Sequence, residues 1–193
     1  MTSQLIIRLL DVIEKDIVPL TRDGVLSGNK IFGAAILDKA DLSLVVAGTN
    51  AEIDNPLWHG EIATIKKLYE LPQNGRPAPA DCIFLSTHEP CSMCLSAITW
   101  AGYDNIYYLF GYEQTRDAFH IPHDLRILQE VFGGGYARDN AYWKSHDIVH
   151  MIAAQTNAEK ESLEARVEEL TRKYGELSEL YQGSKPDNEI PLA

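Results

Sequence analysis

Two short stretches hold the residue types that do chemistry. One is Trp58-His59-Gly60-Glu61-Ile62, an H-x-E; the other is Glu89-Pro90-Cys91-Ser92-Met93-Cys94, a P-C-x-x-C. Alone, an H-x-E is common by chance, and a C-x-x-C reads equally as a redox pair or half a zinc knuckle. Together they supply one imidazole and two thiolates, a donor set suited to tetrahedral zinc. Three protein ligands leave a fourth position for water, the pattern of a catalytic rather than a closed structural site. His59, Cys91 and Cys94 are the expected ligands. Glu61, two residues past the histidine, is the expected general acid/base. On its own, Glu61 would read as a solvated first-turn glutamate favoured by a helix dipole.

The H-x-E followed by P-C-x-x-C resembles the signature of the cytidine deaminase superfamily of zinc hydrolases. Glu89-Pro90-Cys91-Ser92-Met93-Cys94 followed by Ala97-Ile98 is similar to one branch, which holds guanine deaminases, guanosine deaminases and tRNA adenosine deaminases. The resemblance runs over roughly residues 5 to 155. It implies an α/β class, cytidine deaminase-like three-layer α/β/α fold, with a five-stranded mixed sheet and an antiparallel first hairpin. It implies Zn2+ as cofactor and hydrolytic release of ammonia. It also implies substrate contacts by Asn50 and by the backbone N–H groups of Gly60 and Cys91. Asp117 and Asp124 lie in a stretch that resembles the guanine-deaminase segment accepting purine N–H donors. Asp124 reads equally as a helix N-cap. Phe32, Trp58 and Phe119 are candidate stacking rings, with core packing as the competing reading. Gly60 departs from the branch, which carries alanine there; it keeps the backbone N–H.

The expected substrate is a free nucleobase or nucleoside, with guanine-type purines first and a pyrimidine or modified base second. The competing readings are an editing enzyme acting on tRNA or single-stranded nucleic acid, and a non-catalytic zinc-stabilised binding protein.

These residues must be positioned by regular elements. Apolar residues at helical spacing predict a helix over 4–20, ending near Pro19, and a loop over 21–30. Phe32–Leu37 and Leu42–Ala47 predict a hairpin, and the small Gly33 and Ala34 mark a close approach. A helix is expected from about His59 to Pro72, with Ile62, Ile65, Leu68 and Tyr69 inward. Cys82–Thr87 is a buried strand, Cys91–Trp100 a helix, Asn105–Phe110 a strand, Leu125–Phe132 a helix and His146–Ala153 a fifth strand. Each zinc motif then opens a helix, where free N–H groups favour anions.

The chain has 193 residues and three cysteines. One domain, 1–156, is expected, then an amphipathic helix over 157–182 and a loose tail over 183–193. Leu163, Val167, Leu170, Tyr174, Leu177 and Tyr181 form a seam at steps of four and three. That seam reads equally as a face packed on its own domain or as a homodimer contact. No membrane-spanning run or signal peptide is evident, and few cysteines fit a reduced, cytoplasmic setting. Cys82 reads as a buried small hydrophobe. His88, His120, His123, His146 and His150 read as surface or supporting histidines. The net charge of −11 opposes a polynucleotide partner.

Overall fold

The computed structural model describes residues 2–156, 158–185 and 188–192. Its elements, in order, are helix α1 (Thr2–Val12), a π turn (Ile13–Ile17), helix α2 (Val18–Leu26), strands β1 (Gly33–Asp38) and β2 (Leu44–Thr49), helix α3 (Gly60–Glu70) and strand β3 (Cys82–His88). Helix α4 (Ser92–Trp100), strand β4 (Asn105–Phe110), helices α5 (Tyr112–Phe119) and α6 (His123–Phe132), strand β5 (Lys144–Asp147), and helices α7 (Ile148–Ala153) and α8 (Lys160–Ser184) follow.

The strands form one five-stranded sheet in the order β2-β1-β3-β4-β5. β1 runs antiparallel to both β2 and β3, with Ala35 opposite Ala47 and Leu85. β3, β4 and β5 are parallel, with Leu85 opposite Tyr107 and Tyr107 opposite His146. This is the mixed sheet the sequence predicts.

Strand alternation divides the core. Ala34, Ile36, Phe84 and Ile106 face Leu68 of α3 and Leu95 and Ile98 of α4. Ala35, Leu37, Ile83, Leu85 and Leu109 face the opposite layer, built from α1, α2, α7 and α8. Placing α3 and α4 together on one face sets their N-termini side by side.

Several boundaries correct the sequence reading. Pro19 does not end the first helix. The π turn just before it lets helix resume, with proline in the first turn of α2, where its missing N–H is not needed. The fifth strand is only Lys144–Asp147. Asp147 then caps a new helix, accepting from His150 N–H at 3.1 Å. Tyr69 is exposed and lies under the Arg76 guanidinium.

The apolar seam of α8 is spent within the chain. Leu163, Leu170, Tyr174, Leu177 and Tyr181 are buried against α1, α2, α5 and α7. Arg166 bridges Asp11 at 2.7 Å and Glu14 at 2.8 Å. Ser178 donates to the Phe119 carbonyl at 2.7 Å. The seam is therefore not a free homodimer face. The expected start of this helix, residue 157, lies outside the described residues, as do Pro186 and residue 193. Within the described part of the tail, Ile190 is buried and lines the cavity described below, while Leu192 is exposed.

Candidate active site

His59 and Cys91 each precede a helix, as the N-caps of α3 and α4 with extended backbone. Their helices aim free N–H groups and positive dipole ends at one point, which favours thiolate. The close approach foreseen at Gly33 is made by Gly60. A Cβ on Gly60 would stand 2.8 Å from Gly33 Cα and 2.9 Å from the Phe32 carbonyl oxygen. This explains the departure to glycine: the first turn of α3 lies directly on β1.

The donor atoms of His59, Cys91 and Cys94 all lie within 4.8 Å of one another. His59 Nδ1 is 3.5 Å from Cys91 Sγ. Tetrahedral zinc, with Zn–S near 2.3 Å and Zn–N near 2.0–2.1 Å, spaces its ligand atoms by about 3.5–3.8 Å. The set therefore fits one zinc ion. Protonation points the same way. A hydrogen bond from Cys94 and the charge of His59 hold the Cys91 thiol well below its usual range, despite burial. Burial and the Cys91 thiolate push Cys94 well above it. Burial alone would lower the His59 imidazole, but the Cys91 thiolate, then Glu52 and Glu61, outweigh it and raise it to about 9. A divalent cation would relieve this crowding of negative groups by displacing the protons on Cys94 and His59.

Glu61 is buried, and Ser86 Oγ donates to its Oε1 at 2.9 Å. Burial, then the Cys91 thiolate, raises its carboxyl. A cavity of about 560 Å³ opens against His59 and Cys91. Its polar end is Lys30, Glu52, His59, Cys91 and Asp124; its apolar wall includes Phe32, Leu57, Met93, Ile127, Phe132 and Leu192. Asp124 is not the N-cap of α6. Pro122 holds that position, and Asp124 sits in the first turn, on the cavity wall. Burial and the Cys91 thiolate push its carboxyl up to about 8.

Other expected residues fall elsewhere. Phe119 is buried among His88, Phe110 and Tyr174, in the core and off the cavity wall. Asp117 is exposed and paired with Arg116 at 2.6 Å. Trp58 lies beneath the Lys66 ammonium and is not on the wall. Asn50 is buried and engaged within the protein: its Oδ1 accepts the Gly60 N–H and its Nδ2 donates to Glu52 at 2.6 Å. The Gly60 N–H is thus held by Asn50 rather than open to the cavity.

Sequence reasoning missed Lys30, Glu52 and Ser86. The first two sit in segments that read as loop, where charges are ordinarily solvated. Here both are buried and paired at 2.8 Å.

Residues 20–110, which carry this whole donor set, match the family described as the cytidine and deoxycytidylate deaminase zinc-binding region. Over that stretch the chain is similar to the cytidine deaminase-like zinc enzymes. Among similar proteins, the guanine deaminase of Bacillus subtilis (strain 168) is 32% identical over 107 residues, which is 54% of this chain and 66% of that protein, so the match spans just under two thirds of that protein's length. A solved guanine deaminase from Bacillus subtilis is 26% identical, covering 79% of this chain and 88% of the other, at a TM-score of 0.51. A guanine deaminase from Nitrosomonas europaea is 18% identical, covering 86% and 81%, at a TM-score of 0.49.

Proposed function

We propose that the protein is a zinc-dependent hydrolytic deaminase of a free nucleobase or nucleoside, with guanine-type purines as the leading substrates. The observation that carries this is a cluster of three zinc-ligating atoms beside the buried Glu61, with His59 and Cys91 of that cluster lining one cavity together with Asp124. The likeness to guanine deaminase supports the purine choice.

Zinc, when bound, supplies a water acidified to a pKa of about 7. Held by His59, Cys91 and Cys94, zinc would supply that acidity, and Glu61 would carry a proton from the attacking water to the ring nitrogen beside the carbon where the C–O bond forms. A second proton passes through Glu61 to the amino group. The C–N bond breaks, ammonia leaves and the ring keeps a carbonyl. One water is consumed for each ammonia released. Asp124 accepts an N–H on the purine edge, and Phe32 covers a ring face. Three unpaired cysteines fit a reducing, cytoplasmic setting.

An editing role on tRNA or single strands is disfavoured by the net charge of −11. The test is ammonia release on a panel of guanine, guanosine, cytosine, cytidine and adenosine, for the wild type and Asp124→Ala. Guanine-type substrates should lead. Asp124→Ala should cost them about 1–3 kcal/mol of barrier, the penalty of an unpaired buried polar group, and cost bases lacking that donor little. A uniform small loss would remove Asp124 from substrate recognition. No release from any base, with zinc bound, would favour a binding protein.

A further inference from the structure

One buried carboxylate outside the motifs touches three parts of the site. Glu52 is 3% exposed. Its Oε1 accepts from Lys30 Nζ at 2.8 Å and faces His59 Nε2 at 3.5 Å. Its Oε2 accepts from Asn50 Nδ2 at 2.6 Å. Asn50 Oδ1 in turn accepts the Gly60 N–H, at the first turn of the helix that carries Glu61.

This network leaves little freedom. A carboxylate can only accept and a backbone N–H can only donate, so the Asn50 amide has one satisfactory orientation. His59 presents Nδ1 to Cys91 and Nε2 to Glu52. A neutral imidazole that ligates through Nδ1 carries its proton on Nε2, the nitrogen that faces the carboxylate. Lys30, itself 5% exposed, offsets the charge that Glu52 brings into the interior.

We infer that Glu52 is a positioning residue for the zinc site, charge-compensated by Lys30: it fixes the tautomer of His59 and, through Asn50, the first turn that presents Glu61. The inference rests on the zinc reading above and on no choice of substrate.

Zinc affinity, measured by chelator competition on the full chain, tests it without turnover. Glu52→Gln keeps the shape and removes the charge. Its affinity should fall about 10–100-fold, the range for lost outer-shell partners. Lys30→Met alone strands the Glu52 carboxylate and should lower the melting temperature. Lys30→Met with Glu52→Gln should recover the melting temperature but not the zinc affinity. A purely structural pair would move both together. Nitrogen-15 NMR of the zinc-loaded wild type gives a readout that needs no variant. The His59 Nε2 proton should be shielded from exchange and shifted downfield by a carboxylate partner. Unchanged zinc affinity in a folded Glu52→Gln, or a freely exchanging Nε2 proton in the wild type, would overturn the inference. A wild type that binds no zinc would instead overturn the site reading itself.

Discussion

Glu61 is the residue we propose as proton carrier. It is buried at the first turn of α3, two residues from His59, and Ser86 donates to it. Burial raises its carboxyl, which in the proposed role brings its proton affinity closer to that of its proton partners. Glu61→Gln keeps the size and can still accept from Ser86, but it cannot take a proton and return it. The variant should stay folded and zinc-loaded, with turnover down by at least about 10²–10⁴-fold. Metal analysis and ammonia release on the same sample check this. Near wild-type turnover would remove Glu61 from the chemistry. The ligand set His59, Cys91 and Cys94 was legible in the sequence because metal geometry fixes its types and spacing, and Glu61 was marked only by its place two residues past His59. Ser86, Glu52 and Lys30 were not, because a strand serine and two loop charges carry no spacing signal. Phe119 and Asp117 show the converse. Both lie in a stretch that resembles a substrate segment, yet the fold turns the ring into the core and leaves the carboxylate on the surface with Arg116.

At the scale of elements, the site depends on how closely α3 lies on β1. Gly60 and Gly33 meet backbone to backbone, and neither backbone can yield as a flexible side chain could. Gly60→Ala, although alanine is the residue the branch carries, should therefore destabilise this protein by about 1–3 kcal/mol, the usual cost of overpacking. Urea unfolding of the two proteins gives that difference. An equal or higher stability for the variant would mean that the first turn of α3 moves freely off β1. The strands and the two motif helices were legible because apolar runs and small residues mark them. The ends of α2 and β5 were not. A π turn rescued the helix across Pro19, and the Asp147 cap turned an apolar run into helix α7. Both are decided by local hydrogen bonds that hydrophobic periodicity does not record.

At the scale of the molecule, a mixed sheet between two helical layers places α3 and α4 together, and α8 closes the opposite layer. The α8 seam was legible as apolar, but its partner was not, since the same spacing serves a second chain or its own domain. The domain supplies the partner here. The remaining tail reaches the cavity at Ile190, Pro191 and Leu192, so the far end of the chain completes a wall begun at Lys30 and Phe32. All of this architecture bears on one proposal: that a single zinc at His59, Cys91 and Cys94 makes the cavity a deaminase. The direct measurement is ammonia release from a guanine-type substrate as a function of zinc content, from stripped protein through stepwise reloading to one equivalent per chain. Turnover should rise in proportion to bound zinc, start from none in the stripped protein and level off at one equivalent. Turnover that persists without zinc, or stays absent at full loading, would contradict the account.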